Sequence, residues 1–170
     1  MKKIEAFKRS MIWKFLVKLQ RWLMVASSIF VMLIMCLEVL LRYVFKSDLF
    51  GIEEIVVIAA FWLYFMGSSY GVYDKSHVKA DIIPQMLSKK GQAFLTVIIR
   101  LTMSILCCIF TCWAVGMIRH SVEYMPRTTG LGIPIVISQF SILMGYFLMS
   151  IYSVVYFLED LFGFLELRRS

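Results

Sequence analysis

Apolar residues dominate four long stretches of the chain, and charged residues gather between and beyond them. The stretches run over about residues 22–45, 55–73, 94–118 and 133–158. Each is close to the ~20 residues that cross ~30 Å of hydrocarbon. A soluble core of this size would show shorter apolar segments with polar residues at helical spacing. The pattern therefore predicts an all-α membrane protein with four transmembrane helices. Residues 1–21 follow another rule. Ile4, Phe7, Met11, Phe15, Leu19 and Trp22 recur at steps of three and four, and lysines and arginines fill most of the remaining places. That spacing predicts a basic amphipathic helix in the cytoplasmic headgroup layer, apolar face down, or else a charged tail that only sets topology.

Composition agrees with a membrane chain: 61% of the 170 residues are hydrophobic, and the mean hydropathy is +0.81. The net charge of +7 raises nucleic acid as a partner, but the placement of the charge argues against it. Seven of the 18 lysines and arginines precede the first span: Lys2, Lys3, Lys8, Arg9, Lys14, Lys18 and Arg21. Four more, Lys75, Lys79, Lys89 and Lys90, lie between spans two and three, and Arg168 and Arg169 close the chain. The opposite side holds Lys46, Arg119 and Arg127. The lysine- and arginine-rich side is the expected cytoplasmic one, which predicts that both termini are cytoplasmic. Cys36, Cys107, Cys108 and Cys112 all fall in apolar runs without a C-x-x-C spacing, so they read as packing residues.

Between the spans, residues 74–92 carry His77 and Asp81 and then Val78, Ile82, Ile83, Met86 and Leu87 on one helical side, interrupted by Pro84. This predicts a second short segment on the cytoplasmic surface. The third loop holds Pro126, Gly130, Gly132 and Pro134 and reads as a tight turn-rich connection, with Pro134 in the first turn of span four. With no repeat and no separate soluble region, residues 1–170 read as one four-helix membrane unit.

The candidate chemistry is sparse. Glu38 and Arg42 stand at i, i+4 near the end of span one, the acid first, which is the better order for an ion pair. An acid at that depth can couple transport to a proton or cation. An arginine one turn away suits an anchoring pair better. Glu53 and Glu54 open span two, where the helix dipole favours carboxylates. Arg42 is the nearest cation, so Glu38, Arg42, Glu53 and Glu54 are expected to form one charge cluster. Paired acids also suggest acid–base catalysis, but no nucleophile or metal-ligand grouping accompanies them. No enzyme activity, metal or cofactor is expected. Arg100 is expected to snorkel or to pair with another helix. His77 and His120 lie beyond the span ends, whereas haem ligation needs histidines within facing spans. In span two, Ala59, Ala60, Gly67, Ser68, Ser69 and Gly71 allow close approach of another helix.

Several of these residues, taken in order, resemble the DctQ-type small membrane subunit of tripartite ATP-independent periplasmic (TRAP) transporters. They are RYVF at 42–45, the pair Glu53-Glu54, FWLYFMGSSYG at 61–71, HVKAD at 77–81 and LGIP at 131–134. The family often carries tryptophan two residues before the acidic pair, where this chain has Gly51. The resemblance implies a component of the bacterial inner membrane with two partners: a large multi-span subunit that carries the substrate, and a periplasmic substrate-binding protein. It implies uptake of an organic acid, such as a dicarboxylate or a sialic acid, driven by an ion gradient, usually sodium. Gly67, Ser68 and Gly71 are then expected at the contact with the large subunit. The residues agree on one point: the chain holds too few intramembrane polar groups, and no pair of broken helices, to build a substrate and sodium site alone. The alternative is an autonomous four-span exporter that uses Glu38 for coupling. A quinone-linked thiol oxidase is a weaker rival, since its paired cysteines should stand at the membrane surface.

Overall fold

The structure is a computed structural model that describes residue 8 and residues 10–47, 50–74 and 89–169. Its elements are α1 (Met11–Tyr43), α2 (Ile52–Tyr73), α3 (Lys89–Tyr124) and α4 (Val136–Arg169), with no strand among the described residues. All four are long and apolar enough to cross a membrane. Ile4, Phe7, His77 and Asp81 lie outside the described residues.

From Met11 onward the amphipathic pattern and the first span lie on one helix rather than two. Ser10 caps α1, its hydroxyl accepting from the Trp13 amide at 3.2 Å. The 33 residues that follow contain neither glycine nor proline, so nothing breaks the helix at the change of pattern near Trp22. The expected apolar face keeps its outward direction, since Met11, Phe15, Leu19 and Trp22 are all exposed. The opposite face is the one that packs. Trp13 is 4% exposed and Gln20 1%. Hydropathy marks the membrane-embedded part of a helix rather than its ends. For that reason α3 and α4 run several residues past the expected spans 94–118 and 133–158. Pro134 stands two residues ahead of α4, and its carbonyl accepts from the Ile137 amide at 3.2 Å.

The helices pack in the order α1, α2, α4, α3. Pairings along the helices give their directions. Trp62 meets Phe140, and Tyr156 donates to the Tyr73 carbonyl, so α2 and α4 run parallel. Trp13 meets Tyr73, and Gln20 further along meets Met66 and Ser69, so α1 is antiparallel to α2. Thr111 meets Ser150, and Arg100 pairs with Asp160, so α3 is antiparallel to α4. Of the two alternatives for Arg100, snorkelling or pairing with another helix, the structure shows the pair, at 3.3 Å.

Helix α4 is central. Gly145 sets its separation from α2, because a Cβ there would lie 2.8 Å from Phe65 Cβ and 3.0 Å from the Phe65 carbonyl oxygen. Such close approach gives dispersion contact in lipid, where no hydrophobic force drives helices together. The core gathers Trp13, Met66, Val72, Cys107, Leu148 and Tyr152 toward the end of the bundle that carries both described termini. By contrast, none of the apolar window of α1 is buried. Beyond Met24 its half-buried positions are Ser27, Val31, Ile34, Glu38 and Leu41, a narrow seam with steps of four and three.

Candidate functional site

The predicted charge cluster lies where α1 ends and α2 begins. Glu38 falls on the packing seam of α1, and its side chain is 16% exposed. Arg42, one turn further, is more open and places Nη2 3.6 Å from Glu38 Oε1. The connection then turns back through Lys46 at φ 50° and Gly51 at φ 78°. That left-handed φ explains glycine at position 51, where tryptophan would be strained and its Cβ would strike the side chain of Leu131.

Glu54, in the first turn of α2, is held by the third loop. Its Oε2 accepts from Thr128 Oγ1 at 2.6 Å and from the Leu131 amide at 2.8 Å, and its Oε1 accepts from the Gly130 amide at 2.6 Å. The loop is organised around the same hydroxyl. Thr128 Oγ1 accepts from the Ile133 amide at 2.9 Å, and the backbone closes through Thr128 N to Ile133 O at 2.9 Å and Ile135 N to Pro126 O at 3.0 Å. A carboxylate that receives three short donors is fixed in orientation and remains an acceptor. It ties α2 to the α3–α4 connection.

The expected four-residue cluster thus divides. The Arg42 ion pair among the described residues is with Glu38, while hydroxyl and amide donors meet Glu54 in place of the guanidinium. The reason is local: the Pro126–Pro134 loop folds over the start of α2 and presents two amides there, which sequence spacing does not reveal. The three acids still share a place. Glu38, Glu53 and Glu54 line one open cleft of 270 Å³ with Thr129 and Gly130, and Glu53 is exposed at its edge.

The small residues of α2 also separate. Gly67 looks toward α1, where a Cβ would lie 3.8 Å from Met24 Sδ. Ser68 is exposed on a stripe with Glu53, Val57 and Tyr64, and Gly71 is half-buried. Ser69 is buried and hydrogen-bonds Gln20. That glutamine also donates to the Met66 carbonyl at 3.1 Å and accepts from the Tyr152 hydroxyl at 3.0 Å, joining three helices. Sequence reasoning passed over Gln20, although one signal was present: it shares a helical face with Trp13, Leu16, Val17 and Met24.

A protein-family model described as "Tripartite ATP-independent periplasmic transporters, DctQ component" matches residues 31–163. No curated protein matches the chain.

Proposed function

The chain belongs to the DctQ component family of tripartite ATP-independent periplasmic transporters, a family of transporter components rather than enzymes, and from that premise we propose that this small membrane subunit braces a larger, substrate-carrying one. The observation that carries the reading is the bare apolar surface of α1 beyond Met24, which touches the other described residues along one narrow seam. A helix with so little internal packing is stabilised by a neighbour in the membrane. Helix α2 adds an exposed stripe of its own, Glu53, Val57, Tyr64 and Ser68. In this reading residues 1–170 act as one four-helix unit with both termini cytoplasmic, in the bacterial inner membrane.

The transported substrate is an organic acid of the dicarboxylate or sialic-acid class, delivered by a periplasmic binding protein and driven by a sodium gradient. Two observations favour a bracing role over an autonomous exporter. The four helices run unbroken, and Glu38 is occupied by Arg42 at 3.6 Å. Glu38, Arg42, Glu53 and Glu54 then fix the shape of the end that faces the binding protein. His77 and Asp81, with the HVKAD motif, belong to the opposite, cytoplasmic face.

Reconstitution tests this directly. Vesicles holding the large subunit and this chain, supplied with binding protein and a sodium gradient, should accumulate substrate, and vesicles lacking this chain should lose most of the uptake. Full uptake without it, or uptake by this chain alone, rejects the bracing role.

A further inference from the structure

Lys14, Lys18 and Arg21 stand at i, i+4 and i+7 on α1, and all three are exposed. They precede the residues matched by the family description. Like charges at this spacing repel one another along a helix. Facing them are Tyr70 and Tyr73 at the end of α2, with Asp74 beyond, and together these residues line an open cleft of 640 Å³. That size lies within the ~300–1,000 Å³ common for small-ligand sites. Lys8 also reaches the cleft, but it is paired with Glu159. Among the described residues, then, the cleft wall presents three cations besides Lys8 against one carboxylate, Asp74.

Depth makes the imbalance significant. The Gln20 amide bonds Met66 and Ser69, so the adjacent Arg21 lies one to two turns, ~6–10 Å, short of the end of α2. Helix α4 carries no charged residue from Tyr152 to Leu158 and meets its acids, Glu159 and Asp160, only beyond that level. Cations in such a position need an anion within reach or must snorkel outward. The wall is firm. Trp13 packs its ring 6.2 Å from Tyr73 and 5.0 Å from Tyr152, and the Tyr73 ring lies 5.6 Å from Tyr70. A prearranged wall costs less ordering on binding. On the helical side next to the basic row, Phe15, Leu19 and Trp22 are exposed and apolar.

We propose that the cleft formed by Lys14, Lys18 and Arg21 of α1 against Tyr70 and Tyr73 of α2 binds the phosphate of an anionic phospholipid headgroup. The cations neutralise the phosphodiester, the aromatic wall shields it from the bundle, and the exposed apolar side of α1 receives the acyl chains. A basic pocket among membrane helices at the lysine- and arginine-rich face is suited to such headgroups.

The test uses the full chain in mixed micelles holding equal amounts of phosphatidylglycerol and phosphatidylcholine, with retained lipid counted by native mass spectrometry. The wild type should retain phosphatidylglycerol preferentially. Each of Lys14→Gln, Lys18→Gln and Arg21→Gln should lower the preference about fivefold, the factor expected for loss of one cation near a charged lipid. Lys18→Arg should keep it. The pair Lys90→Gln and Arg119→Gln, which also removes positive charge, should leave it unchanged. Circular dichroism confirms that each variant is helical, and if the Arg21 variant unfolds, the two lysine variants decide. Equal retention of both lipids by the wild type, or equal losses in the Lys90 and Arg119 control, overturns the site. Inorganic phosphate separates the sources. If millimolar phosphate displaces the retained lipid completely, the cleft is a site for a soluble phosphate and the lipid assignment fails. Retention in its presence supports the headgroup.

Discussion

Glu54 and Arg42 differ in what their loss releases. Removing Arg42 takes the guanidinium from Glu38, on the seam of α1. Removing the Glu54 carboxylate takes one shared acceptor from the Thr128 hydroxyl and two loop amides at once, and with it the charge-assisted bonds that tie the loop to α2. Glu54→Ala should therefore lower the thermal unfolding midpoint more than Arg42→Ala, with Glu54→Gln between them because an amide oxygen still accepts. Unfolding scans of the three variants in one detergent provide the ranking, and a larger loss for Arg42→Ala contradicts it. Gln20 allows a sharper measurement. Gln20→Leu removes contacts to α2 and α4 together, at about 1–2 kcal/mol, since buried hydrogen bonds between membrane helices average ~0.6 kcal/mol each. Tyr152→Phe should cost less, and the double variant should fall short of the sum because the two share one bond. Additive losses would show that the pair is not coupled.

Elements differ in how tightly they are held. Helices α2 and α4 meet at Gly145, where the backbone of Phe65 leaves no room for a side chain. Gly145→Val should force the pair apart and destabilise the bundle by about 1–3 kcal/mol, the usual range for overpacking. Guest residues of equal size at Gly116 or Gly163, where a Cβ meets nothing within 4 Å, should be tolerated far better. Helix α1 is the opposite case. Single cysteines at Val31 and Ile34, on its seam, should crosslink to cysteines in α2, while cysteines at Met32, Met35 and Val39, all exposed, should crosslink to the large subunit in the assembled transporter. Identical partners for both sets would mean that α1 has no distinct outer face.

The whole molecule has one end rich in lysine and arginine and another where acids and a folded loop meet. By the charge rule the lysine- and arginine-rich end is the expected cytoplasmic one. Reporter fusions at Ser170 and within residues 46–52 should report opposite sides, with Ser170 cytoplasmic. The reverse result would turn the acidic cleft inward and remove it from reach of a periplasmic binding protein.

Hydropathy alone located the four helices and the break in pattern near Trp22, because burial in lipid needs long apolar runs wherever they occur in the chain. It also placed Glu38 and Arg42 together, since i, i+4 is a property of one helix. The local spacing of charges could not show that Glu54 is claimed by Thr128, Gly130 and Leu131, more than seventy residues away. Nor could it show that Gln20 ties α1 to both central helices, or that α2 and α4 run side by side in parallel. Those choices depend on which helix packs against which, a matter of side-chain fit across the bundle. For the same reason Lys14, Lys18 and Arg21 read as a topology signal in the sequence and become one wall of a cleft only when Tyr70 and Tyr73 of α2 are brought against them.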